Sequence, residues 1–169
     1  GVEEVGGEWA RDKVLVGRVL EVDAHPDADR LTLPTVELGN GETMTVVCGA
    51  PNVAAGQKIA FAREGALLFS LRSGKVEPLR GARIRGVESH GMVCSVLELG
   101  LGDEHDGILV LDEDAPVGTP LVDYMGDAVL DIDVTPNRPD CLSLLGVAHE
   151  VAALTGEVVT EPDLSYDEQ

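Results

Sequence analysis

Aromatic side chains are scarce in this sequence: one Trp, two Tyr and two Phe among 169 residues, 3% in all. Stacking on exposed bases therefore has little to work with. Cysteine is nearly as rare. Cys48, Cys94 and Cys141 lie far apart with no C-x-x-C pair, which excludes a disulfide framework and a zinc ribbon and fits a reducing cytoplasm. They are expected to be small buried hydrophobes. Positive charge is short too, 12 Lys and Arg against 31 Asp and Glu, for a formal net charge of −19. A body of that charge repels polyanions as a whole. No apolar run reaches the length of a bilayer span and no basic-then-apolar signal opens the chain, so a membrane role is not expected.

The residues that are present describe a globular protein. Hydrophobic residues make up 44% and charged residues 25%, ordinary values for a folded domain. The length suits one well-buried domain, or one domain plus an incomplete piece of another. Gly1 is not a natural start, so the sequence is expected to be cut from a longer one. The charge is also unevenly spread. From Arg72 to Arg85 there are five cations, Arg72, Lys75, Arg80, Arg83 and Arg85, against one acid, Glu77. From Glu98 to Asp133 there are eleven acids and no Lys or Arg. Only the first stretch suits a phosphate backbone.

Local patterns give mostly short strands. Residues 1–12, rich in Gly and Glu with Trp9, are expected to be a linker. Val14–Val22 and Leu31–Leu38 predict strands, the second with an edge or bulge at Pro34, which cannot donate to a ladder. His25–Asp29 predicts a turn built by Pro26 and the Asp side chains. Gly39-Asn40-Gly41 closes a hairpin into Met44–Cys48. Lys58–Ala62 and Ile108–Leu111 are further strands, Gly65–Phe69 extends the first of these regions, and Ile84–Val87 lies near another pairing segment. Gly91–Leu99 predicts a short helix stopped by Gly100. The sum is a small barrel rather than a βαβ sheet. Beyond it, Val129–Val134 alternates as a half-exposed strand does. The stiff loop Thr135–Asp140 then leads, with Asp140 as N-cap, into a helix Cys141–Thr155 stopped at Gly156. One strand and one helix cannot close a core alone, so this portion is expected to be part of a second domain.

Several segments together resemble a known family. His25-Pro26-Asp27-Ala28-Asp29-Arg30-Leu31 is similar to the H-P-x-A-D-K/R-L signature of the tRNA-binding OB domain. That domain is found on some methionyl-tRNA synthetases, in free-standing tRNA-binding proteins and in bacterial phenylalanyl-tRNA synthetase beta subunits. Val47–Val53 and Leu79–Met92 resemble two more of its motifs, with His90 where the family often has Glu. Thr135–Ser143 resembles the beta subunit specifically. The likeness covers roughly residues 12–156, and agreement of several motifs outweighs a lone pattern.

The resemblance implies a mainly β fold. A five-stranded OB-type Greek-key barrel with a short helix is expected over residues 13–125. Residues 126–157 are expected to be the second half of a discontinuous N-terminal α+β domain, and 158–169 an acidic tail. It implies an accessory tRNA-binding module with no catalytic residues and no cofactor or metal of its own. The parent enzyme is a cytoplasmic ligase that uses ATP and magnesium to attach phenylalanine to tRNA. Its partners are tRNA, the alpha subunit and the remaining beta domains, in a hetero-tetramer of two alpha and two beta chains.

The RNA-binding candidates are Arg72, Lys75, Arg80, Arg83 and Arg85, which suit phosphates, together with Asn52 and Ser89, which suit sugar, phosphate or base edges. The competing readings are a solvated hairpin for the cations, and a turn cap and a loop closure for Asn52 and Ser89. Met92 is expected in the core. Arg138 is the candidate partner contact, against a structural role in its proline loop. His25, Asp27, Asp29, His105 and Asp106 are taken as turn formers rather than metal ligands. His90 and Cys94, four apart, would share a helical face, but no third group completes a nucleophile pair. A structural module that docks other synthetase domains without touching RNA is the alternative, and the net charge favours it.

Overall fold

A computed structural model describes residues 2–5, 9, 12–130 and 132–161. It divides into two compact units, one spanning Val2–Val129 and one beginning at Leu130. The first holds β1 (Val2–Val5), β2 (Val14–Ala24), β3 (Thr32–Glu37), β4 (Thr43–Thr45), β5 (Lys58–Arg63), β6 (Leu67–Ser70), β7 (Lys75–Pro78), β8 (Ala82–Ile84), β9 (Val87–Ser89), β10 (Gly91–Val93), β11 (Val110–Leu111) and α1 (Leu121–Met125), with β12 (Asp127–Leu130) at its end. The fold is mainly β, in keeping with the OB-type expectation.

The central sheet runs β10-β5-β2-β3-β4, and β11 also pairs with β5. Every pairing in it is antiparallel. The sequence run Val14–Gly17 is buried without a break because both faces of β2 are covered. Leu15 and Val19 join Val36, Leu38, Val46, Ile59, Phe61 and Ile108 in one apolar cluster. Val14 and Val16 join Trp9, Ala60, Leu68, Cys94, Leu99 and Leu121 in a second. Burying each of these Val or Leu side chains contributes about 1.5–3 kcal/mol. The β2–β3 register slips between Val19 and Glu21, so Leu20 is an extra, exposed residue, and the strand bends there as bulged strands do.

Two ends of the strand order meet through one hydroxyl. The Ser89 Oγ accepts from the Val47 N–H (3.2 Å), two residues past β4, and donates to the Gly91 carbonyl (3.0 Å) at the head of β10. Ser89 is 5% exposed. The hydroxyl thus links the chain just after β4 to the head of β10.

Three expectations change in the first unit. Gly91–Leu99 is not a helix: β10 pairs Gly91–Val93 with Arg63–Phe61 of β5. Gly91 sits so close to the Phe61 ring that a Cβ would lie 2.5 Å from Cζ, and the ladder outweighs local helix preference. After β10 the chain makes a single turn, in which the Glu98 carboxylate accepts from the Ser95 N–H (2.7 Å) and Oγ (2.9 Å). Residues 1–12 are not simply a linker. Val2–Val5 pairs with β12, and Trp9 is buried with its Nε1–H on the Leu99 carbonyl at 2.8 Å. The strand expected at Val129–Val134 is β12, two residues earlier in start and finishing at Leu130; Asp131 lies outside the described residues, and 132–134 are not in a strand.

In the second unit a 3-10 turn, Pro139–Leu142, precedes α2 (Leu144–Thr155). The N-cap is Ser143 rather than Asp140: its Oγ accepts from the Gly146 N–H at 3.1 Å, satisfying a first-turn donor. Gly156, at φ 80°, closes the helix in the left-handed conformation as expected. Leu144 and Leu154 are 92% and 85% exposed, so this unit buries little of its own apolar surface. Of the acidic tail 158–169, residues 162–169 lie outside the described part. Among the described residues no helix is long and apolar enough to cross a membrane.

Candidate nucleic-acid interface

The five cations fall on two consecutive hairpins. Arg72 lies in the β6–β7 turn, Lys75 opens β7, Arg80 lies in the three-residue connection to β8, Arg83 is in β8 and Arg85 is in the β8–β9 turn. All five are exposed. Arg85 and Gly86 have φ of 49° and 91°, the paired positive values of a type I′ turn, whose twist matches a tight hairpin. The Arg83 Nε–H donates to the Gly86 carbonyl at 3.2 Å, so one guanidinium is steadied across its own turn.

None of these five forms an ion pair among the described residues. Most other cations are already committed. Arg63 pairs with Glu42 at 2.8 Å, Lys13 with Asp12 at 3.7 Å and Arg138 with Asp140 and Glu150, while Lys58 donates to the Ala115 carbonyl. Apart from Arg18, Arg30 and Lys58, whose partner is a neutral carbonyl, the unneutralised positive charge of the described residues is therefore concentrated on the two hairpins.

His25 anchors the second hairpin. It is buried, its Nδ1 accepts from the Asp27 N–H (3.1 Å), and its Nε2 lies 3.2 Å from the Ile84 carbonyl. Because Nδ1 accepts, Nε2 carries the proton and donates to Ile84. The histidine of the H-P-x-A-D turn thus ties that turn to the strand between Arg83 and Arg85. Asp27 and Asp29 lie in turns, Asp106 lies in a bend and His105 in irregular chain, and among the described residues no group of three or more His, Cys, Asp or Glu is placed to hold a metal.

His90 braces the hairpin base. Its Nδ1 is 2.8 Å from the Glu64 carboxylate and its Nε2 3.6 Å from that of Glu88. Hydrogen bonding and charge attraction from Glu64, then Glu88, raise the imidazole above its ordinary value of 6.5. A folded-state value above the unfolded one adds stability in full below the unfolded value, and that stability fades as pH climbs through the folded value. Lowering pH from about 8 to about 6 therefore protects the amides of β8 and β9 from hydrogen exchange more in the parent than in His90→Gln. Equal protection in both would remove the brace.

Asn52 and Ser89 spend their polar atoms within the fold, although Asn52 is itself exposed and only Ser89 is buried. The Asn52 side chain donates to the Ile108 carbonyl (3.0 Å) and accepts from the Ile108 N–H (2.8 Å), the bonds a strand partner would make. Ser89 is the hydroxyl joining β4 to β10. Arg138 lies in the other unit, and hydrogen bonding from its guanidinium pulls the Asp140 carboxyl down to about 2. Its charge is spent on Asp140 of its own loop and Glu150 of α2. Met92 is half-buried against the Trp9 cluster. Cys94 is fully enclosed, and burial pushes its thiol well up, which suits a core residue and not a nucleophile.

Beside the β6–β7 hairpin two adjoining cavities, of about 240 and 250 Å³, share Leu71, Met92 and Glu98 in their walls. One continues along Cys48–Ala50 and His105–Ile108, the other along Phe69 and Pro78 to Arg80. Sequence reasoning gave no anchoring role to His25 or His90. Only the motif histidine carried a signal; His90 becomes relevant through ion pairs that the sequence does not display.

A family model described as "Putative tRNA binding domain" matches residues 14–120. Phenylalanine–tRNA ligase beta subunits are similar over most of the chain. That of Dehalococcoides mccartyi is 51% identical over 152 residues, covering 89% of this chain and 19% of its own length. That of Cupriavidus pinatubonensis is 49% identical over 167 residues, covering 96% and 20%, and that of Chlorobaculum tepidum 53% identical over 153 residues, covering 89% and 19%. The chain spans about a fifth of the length of the curated relatives it matches.

Proposed function

Because the chain belongs to the tRNA-binding domain family, we propose that it is the accessory tRNA-binding module of a phenylalanine–tRNA ligase beta subunit, contacting tRNA through the β6–β7 and β8–β9 hairpins. The observation that carries this reading is the set of five exposed cations without ion-pair partners among the described residues, Arg72, Lys75, Arg80, Arg83 and Arg85, in a chain of net charge −19. Contacts of this kind are to phosphate and track the backbone rather than the sequence. Asn52 and Ser89, spent on internal hydrogen bonds, are left out of the proposed contact, and Arg138 is left out as well.

The parent activity, ATP- and magnesium-dependent attachment of phenylalanine to tRNA in the cytoplasm, belongs to the same proposal, as does assembly with an alpha subunit into a hetero-tetramer. Docking to the rest of the synthetase is a parallel role favoured by one observation: α2 leaves Leu144 and Leu154 uncovered. This fits a half-domain whose other strands and helices lie elsewhere in the beta chain.

Titration of tRNA at low salt tests the RNA reading. The parent binds with a steep salt dependence, and Arg80→Ala/Arg83→Ala lowers affinity and flattens the slope by about one to two units. Equal affinity in parent and double variant would reject the hairpins as the contact.

A further inference from the structure

A second concentration of charge lies on the central sheet. Arg18 of β2 stands directly opposite Lys58 of β5. Like charges in facing positions of a ladder repel and are ordinarily avoided. Here the pair stands in a chain with more than twice as many acids as bases. Arg18 is exposed and forms no ion pair among the described residues, although Glu37 faces it from β3. The Lys58 ammonium is held by the Ala115 carbonyl at 2.6 Å, which fixes its position without cancelling its charge.

Both residues line an open cavity of about 660 Å³, together with Ala55, Gly56, Gln57, Val110, Leu111 and Glu113. That volume lies within the roughly 300–1,000 Å³ usual for small-molecule sites. The floor is well braced. Gln57 accepts from the Ala54 N–H (2.8 Å) and donates to the Asn52 carbonyl (3.0 Å), and Gly56 donates to Val19 (2.8 Å). The Ala55 N–H makes no hydrogen bond among the described residues and is a further donor on the wall.

We infer that this cavity binds a phosphate group with a neighbouring hydroxyl, the phosphate–ribose unit of a ribonucleotide. A guanidinium grips phosphate through paired N–H donors and an ammonium adds a point charge. Glu113, the acid on the same wall, disfavours a bare dianion and accepts a hydrogen bond from a hydroxyl, the group that separates ribose from deoxyribose. Val110 and Leu111 supply an apolar side. The site uses none of the hairpin cations and stands whether or not the hairpins contact RNA.

Nuclear magnetic resonance titration of the full chain with adenosine 3′-monophosphate, its 2′-deoxy counterpart and inorganic phosphate, at constant ionic strength, tests it. Saturable shifts are expected at the amides of Ala55, Gly56, Val110 and Leu111. The ribonucleotide should bind roughly three- to tenfold more tightly than the deoxy form, the worth of one hydrogen bond. Arg18→Gln abolishes the response, Lys58→Met weakens it, and an otherwise unchanged amide spectrum shows that both variants fold. Non-saturating shifts, shifts retained in Arg18→Gln, or equal affinity for the two nucleotides would overturn the assignment. Adding tRNA distinguishes the sources: displacement of the nucleotide assigns the unit to an RNA chain, and co-binding assigns it to a free nucleotide.

Discussion

Neutralising Arg72, Lys75, Arg80, Arg83 and Arg85 together to Gln lowers tRNA affinity roughly a thousandfold at low salt and reduces the slope of log affinity against log salt by about three to five. Each phosphate contact releases close to one counterion, so the slope counts contacts while the affinity alone does not. That distinction matters in so acidic a chain, because removing any cation deepens the general repulsion. Lys13→Gln/Arg63→Gln supplies the control. Those two charges are already paired with Asp12 and Glu42, so their loss changes the slope by less than about one. Filter binding or anisotropy from low to moderate salt gives both numbers. A five-residue variant with the parent's slope would move the RNA contact off the hairpins altogether.

Ser89→Ala destabilises the fold by about 2–3 kcal/mol, because it strands a buried N–H on Val47 and a carbonyl on Gly91 at once. In urea the midpoint falls while the slope of the transition stays as in the parent, the mark of a change in stability rather than in exposed surface. tRNA affinity measured where the variant is fully folded stays unchanged. The reverse pattern, lost affinity with intact stability, would restore Ser89 to the RNA-facing role that its motif suggests. The two measurements together separate a residue that holds the sheet from one that touches the ligand.

The sequence made visible what is local and hid what is paired at a distance. The valine run of β2, the Gly39-Asn40-Gly41 turn and the Gly156 stop each depend on residues within one turn or strand of one another. Gly91–Leu99 misleads because its composition permits a helix, whereas Phe61 and the β5 ladder, some thirty residues away, decide for a strand. Trp9 reads as part of a linker because the apolar cluster that encloses it is assembled from segments as distant as Leu99 and Leu121. The candidate interface divides the same way. Charge clustering from Arg72 to Arg85 is written in the sequence, and the hairpins hold all five side chains exposed. Asn52 and Ser89 stand in motif positions, yet their polar atoms serve Ile108 and Val47, partners that only the folded chain brings near, and the neighbouring Gly91.

The buried indole of Trp9 has a practical corollary. As the sole tryptophan, enclosed in its apolar cluster and hydrogen-bonded to Leu99, it serves as an internal optical gauge. Its emission stays at short wavelength while that layer is intact and shifts to the red when solvent enters. Neither hairpin carries a tryptophan, so adding polynucleotide leaves the emission maximum in place. One cuvette therefore distinguishes association from melting without any attached dye.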